Sequence, residues 1–330
     1  MQIPEHWAEA RVVGKVNGRD RVVRRFGWSA TSADDAMALA QQRAQQALAE
    51  LQQGRAVAPR EQKLPYGGHG MPIREQVLAR RGDLVITRNS YGAHCLNVPA
   101  VLFADVDYEP RLSDLAEFLF VAGSKWLAAI AVATALALFM FGNRLGCAAL
   151  LAAVVVPTAL LVLREKLRHG ERTLASSRRR ARERIERVAA AVPRGRFALY
   201  ETPVGLRLIA LHATYDPTAA ATQQLLRELG TDPAFAQMCE LQACFRARTS
   251  GKPWRMGVRQ IRPRPGIWPV HPDRRALREE WIAEYEAVAG NFAACRHLAD
   301  LGDGPLDTRC AEVQRVHDEL SRARTDLPLA

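Results

Sequence analysis

Two apolar runs dominate the hydrophobic pattern of this chain. Trp126–Phe141 reads WLAAIAVATALALFMF and Leu145–Leu163 reads LGCAALLAAVVVPTALLVL, with Gly142-Asn143-Arg144 between them. Neither run contains a charged residue, and the apolar positions cover every helical face rather than one stripe. A helix needs roughly 20 apolar residues to span a bilayer, with a lower limit near 17. The pattern therefore predicts a transmembrane helical hairpin within 113–163, its spans at about 119–141 and 145–163. After Leu163 the chain turns basic (REKLRHGERTLASSRRRARERIER), which places that flank in the cytoplasm. The expectation is a bacterial inner-membrane protein with both termini cytoplasmic. Residues 1–112 and 193–330 then form two halves of one domain, and 164–192 a basic juxtamembrane helix.

Outside the hairpin the pattern predicts an α+β domain with a mixed sheet and C-terminal helices. Residues 8–30 alternate around Asn17-Gly18, a strong hairpin-turn signal. Ser32 opens an Ala- and Gln-rich helix that Gly54 ends, with Asp35 as a capping-box partner. Residues 55–72 read as a loop, and a short helix is expected around Ile73–Arg80. Strands follow at Leu84–Thr87 and Val101–Asp107, the second with the apolar character of a buried central strand. Arg111–Ser124 is expected to be helical. Phe197–Glu201 and Leu206–His212 read as strands, and Asp216–Gly230 and the segment after Asp232 as helices. Residues 246–273 read as irregular, and Arg274–Leu298 and Thr308–Arg324 as helices.

Composition adds a net charge of +11. The run 164–187 accounts for part of it and suits anionic lipid headgroups. The six cysteines show no CxxC pair and suggest neither a zinc site nor a disulfide framework. The chain has no P-loop, GxGxxG, GxSxG or HExxH motif.

The sharpest chemical pattern is Asp105-Val106-Asp107. Alternate strand residues share a face, so the two carboxylates project together about 6.6 Å apart. Such a pair suits Mg²⁺ or Mn²⁺ with phosphate oxygens. Arg207, His212 and Asp216 lie on or after a strand that can neighbour it, Arg207 as a phosphate ligand and Asp216 as a third metal ligand or a helix cap. The stretch 245–266 interleaves Arg246, Arg248, Lys252 and Arg255 with Phe245 and Trp254, a composition suited to nucleotide or nucleic-acid phosphates and bases.

With VLFADVDYEP, ETPVGLRLIALH and YDP, the chain resembles the archaeo-eukaryotic primase and primase-polymerase superfamily. The resemblance implies Asp105 and Asp107 as metal ligands and Asp216 as a third acid. The chain departs from that pattern at Gly205–Leu208, where Arg207 stands in place of a Ser-x-His histidine. Two functions follow from the sequence: a membrane-tethered scaffold or binding domain, and a divalent-metal-dependent enzyme acting on nucleotide or phosphate substrates.

Overall fold

The computed structural model describes residues 1, 3–61, 71–108 and 156–330, and of the helical residues 156–173 the backbone alone. Residues Met1–Asp107 and Arg184–Ala330 form one compact unit and Tyr108–Glu183 a second. In the second unit, the described chain is helical from Val156 onward; the helix, α2, runs through the basic segment to Ala191. Arg180 donates there to the hydroxyls of Ser176 and Ser177 at 3.0 and 2.9 Å.

The first unit starts with the antiparallel hairpin β1 (His6–Val16) and β2 (Arg19–Ser29). Asn17 and Gly18, at φ of 52° and 74°, make the turn that right-twisted strands need. Helix α1 (Ala33–Gln52) is capped by Ser32, whose hydroxyl bonds the Asp35 backbone N–H and carboxylate. Its buried stripe of Ala36, Ala40 and Ala44 packs on Ala8 and Ala10 of the hairpin. Small side chains allow this close seating.

Two four-stranded sheets build the rest of the unit. One has the order β3-β4-β5-β9, from Gln76–Arg81, Leu84–Arg88, His94–Val98 and Phe245–Arg248. The other has the order β10-β7-β8-β6, from Arg296–Leu301, Phe197–Thr202, Gly205–Ala210 and Phe103–Asp107. Every strand pair is antiparallel. Both sheets join segments from before residue 108 to segments after residue 184, through β5 with β9 and β6 with β8. Helices α3 (Ala220–Leu229), α4 (Pro233–Gln242), α5 (Arg275–Ala289) and α6 (Thr308–Ser321) complete the unit.

Several expectations are corrected. Among the described residues no helix is long and apolar enough to cross a membrane, so the transmembrane hairpin is not supported. The inner-membrane location built on it is likewise not supported. Most of 113–163 lies outside the described residues; the described end, Val156–Leu163, opens a helix that continues through charged residues. The helix expected at Arg111–Ser124 also lies outside them. The single mixed sheet is instead a set of antiparallel sheets. Residues Gln76–Arg81 form a strand rather than a helix, and 296–301 form β10 rather than the end of α5. The strand read as central, β6, is an edge strand whose apolar residues Phe103, Ala104 and Val106 are buried all the same.

Candidate binding cleft

Asp105 and Arg207 stand directly opposite each other in the β6–β8 register. Arg207 reaches Asp105 Oδ1 with Nε at 2.6 Å and Oδ2 with Nη2 at 2.8 Å. This two-pronged pair occupies both carboxylate oxygens. Burial opposes the charge of Arg207, but Asp105 more than offsets it, so the guanidinium pKa rises. A third bond runs from Arg207 Nη1 to the main-chain oxygen of Arg248 at 2.9 Å, tying β8 to β9. In the Asp-x-Asp motif, expected to hold a metal, Asp105 is engaged by Arg207 on both carboxylate oxygens. One carboxylate is neutralised from within the fold, and among the described residues no group of three or more His, Cys, Asp or Glu side chains is placed to hold a metal ion.

Asp107 shares the face of Asp105 and forms no ion pair among the described residues. Burial, then the charge of Asp105, pushes its carboxyl pKa above the ordinary value. It lines a cleft of about 770 Å³ together with Arg207, Arg246, Arg248, Lys252 and Arg255. The β1–β2–α1 layer and the segments 58–61 and 71–75 add Arg25, Arg43, Arg60, Glu61 and Arg74; Tyr91, Phe235 and Trp268 add apolar surface. The described lining holds nine basic side chains and five carboxylates, an imbalance that favours an anionic guest.

The basic residues divide by partner. Arg246 is buried against Glu75 at 2.5 Å, and Thr87 anchors the same carboxylate at 2.8 Å. Arg43 pairs with Glu61 at 2.6 Å. Arg25 donates to the main-chain oxygens of Ala58 and Pro59 at 2.8 and 3.2 Å. These three hold the walls together. Arg248, Lys252 and Arg255 have no carboxylate within ion-pair distance among the described residues. Arg248 is braced by the main-chain oxygens of Ser250 and Ala330 at 2.6 and 2.9 Å. The pKa values of Lys252 and Arg255 are lowered, first by burial and then by the like charge of Arg248. One nitrogen of Arg255, Nη1, is buried with no hydrogen-bond partner.

Aromatic rings stand beside these charges. Tyr91 and Trp254 pack edge to face at 5.5 Å, and Lys252 Nζ lies 6.0 and 5.5 Å from their centroids. Trp254 is 54% exposed, unusual for so large an apolar side chain.

Two residues expected at the site serve the scaffold. His212 bonds the main chain of Arg196 and, through Nε2, the Tyr215 hydroxyl at 2.8 Å. Asp216 accepts from the Thr218 N–H and hydroxyl, both at 2.8 Å, in a tight local turn. Neither lines the cleft, so the third acid that the primase resemblance implies is not assembled with the other two. Arg25, Arg43, Arg60, Arg74, Tyr91 and Trp268 escaped the sequence reading. Only a fold that brings 25–61, 71–75 and Tyr91 beside 245–268 places them together.

A Cys295–His317–Asp318 alignment also emerges. His317 Nε2 lies 3.7 Å from Cys295 Sγ, and its Nδ1 lies 3.0 Å from Asp318. Cys295 and His317 are completely buried, and neither lines the cleft. The Arg207 guanidinium donates to His317 Nε2 at 3.2 Å, which makes the histidine a brace for the Asp105–Arg207 pair. Comparison of the chain with protein-family models, with curated proteins and with solved structures finds no match.

Proposed function

We propose that the cleft binds a phosphate-bearing ligand with an aromatic ring, a nucleotide being the plainest example. The observation that carries this reading is the trio Arg248, Lys252 and Arg255: three cations in one cleft, without a carboxylate in ion-pair distance among the described residues, beside Tyr91 and Trp254. Placing like charges together is unfavourable in the empty protein, and an anion between them removes that cost. Arginine adds a planar fork that matches phosphate oxygens. An exposed tryptophan beside such charges provides a face on which a base stacks, worth roughly 1–3 kcal/mol. Asp107 faces the same space, forms no ion pair among the described residues, and is placed to accept hydrogen bonds from ligand hydroxyls.

The test is calorimetric titration of the full chain with ADP, beside a Lys252→Gln/Arg255→Gln variant. Binding in the parent that weakens at least tenfold in the variant supports the reading. Equal binding in both, or none in the parent, refutes it.

A further inference from the structure

We infer that a second, separate pocket at the start of α5 is a site for phosphoryl oxyanions, independent of the cleft. Its volume is about 500 Å³, and Arg259, Arg262, Arg264 and Arg274 line it together with Leu277. No aspartate or glutamate belongs to its described lining. Arg262, Arg264 and Arg274 are exposed and have no carboxylate within ion-pair distance among the described residues. Arg259 donates to Glu284 through Nη2 at 3.0 Å and Nε at 3.5 Å and keeps most of its side chain in solvent.

The backbone that carries these arginines is anchored. Arg278, buried in α5, donates Nε to the Arg262 carbonyl at 2.6 Å. Trp281, one turn further on, donates Nε1 to the Arg259 carbonyl at 2.9 Å. Arg259 and Arg262 thus spring from a loop tied to one helix face, which lowers the entropy lost when the arginines converge on a guest.

The helix end adds an independent argument. A 3₁₀ turn, Pro272–Arg274, runs directly into α5; it carries Asp273 and is capped by the His271 side chain, while Arg274, the cap of α5, itself makes no side-chain capping bond. Cations at a helix N-terminus oppose the macrodipole, whereas an anion is favoured there. Arg274 is both that cap and part of the pocket lining. A phosphoryl group in the pocket meets Arg274 at the positive end of α5. With no aromatic ring in the lining, the pocket selects for the oxyanion itself: a diphosphate, or the phosphate of a larger ester.

The experiment is titration of the full chain with pyrophosphate at low salt. Three proteins are compared: the parent, Arg262→Gln/Arg264→Gln, and Lys252→Gln/Arg255→Gln. The pocket substitutions lie on exposed side chains, and unchanged melting curves verify the fold. The expected result is two binding classes in the parent. The pocket variant loses one class by tenfold or more, and the cleft variant retains it. A parallel titration with a thymidine dinucleotide distinguishes a phosphodiester source from free diphosphate. A pocket variant that binds both probes as the parent does overturns the inference, whatever happens at the cleft. Loss in the cleft variant alone leaves the proposed function standing and removes the second site.

Discussion

At the scale of single residues, the Asp105–Arg207 pair sets the chemistry of the cleft floor. Removing one partner of a buried ion pair strands the other charge, at a cost of about 3–5 kcal/mol. Asp105→Ala should therefore lower unfolding stability by about 3 kcal/mol in denaturant titration, since Arg207 is completely buried. An Asp105→Leu/Arg207→Met variant should recover most of that loss. A metal-ligand role for Asp105 predicts the opposite sign, because neutralising one of two adjacent acids in metal-free protein relieves repulsion. A second residue-scale prediction concerns Glu286. Burial raises its pKa, but His94 at 2.8 Å and Arg88 at 2.7 Å outweigh burial and pull it from the ordinary 4.5 to about 2. A depressed carboxylate stabilises the fold above its unfolded pKa, and that contribution disappears as pH falls from about 4.5 to about 2. With Glu286 partly exposed, the effect should be on the order of 1 kcal/mol, and Glu286→Gln should flatten stability across that window. An unchanged acid limb in the variant would contradict this. The aspartates and the 246–255 cations were legible in the sequence because spacing and composition mark them. That the Arg207 strand neighbours the Asp105 strand was legible too; the direct pairing of the two side chains was not, because only the antiparallel register of β6 and β8 sets them opposite each other.

At the scale of elements, the alanine face of α1 rests directly on the hairpin. A Cβ at Gly27 of β2 would stand 2.2 Å from the Ala36 carbonyl oxygen and 2.3 Å from the Ala40 nitrogen. Both contacts are backbone, so nothing flexible can yield. Gly27→Val should lift α1 from β2 and cost about 2–4 kcal/mol, read as a lower thermal midpoint. A midpoint within a degree of the parent would show that α1 seats more loosely. The hairpin and α1 were readable because turn, cap and periodicity agree locally. Strands β5 and β9 were not. Phe245–Arg248 alternates apolar with arginine, a pattern that reads as a basic loop until Arg246 finds Glu75 and β5 supplies its backbone partner. The apolar runs at 126–163 illustrate the reverse error. Hydropathy alone argued for spans, yet Val156–Leu163 starts a helix that carries on through the arginine-rich segment, and no described helix meets the length and apolarity of a span.

At the scale of the molecule, the cleft exists because segments distant in sequence converge. The β1–β2–α1 layer, β6, β8, β9 and the loop after β9 each contribute a wall. This arrangement predicts how pH governs binding. The Asp107 pKa is raised, so its negative charge appears above the ordinary carboxylate range and then opposes an anion. The Lys252 pKa is lowered, so its positive charge is lost below the ordinary lysine range. Affinity for a phosphate ligand should therefore fall at both steps as pH rises, and Asp107→Asn should abolish the acidic step alone. A pH-independent affinity would contradict that assignment of charges. The most direct measurement is the ADP titration of the parent chain against Lys252→Gln/Arg255→Gln, monitored also by tryptophan emission. Saturable binding that quenches emission in the parent and weakens tenfold or more in the variant is the predicted result. Equal affinities in the two proteins, or no binding in the parent, would contradict the reading of the cleft as a phosphate site.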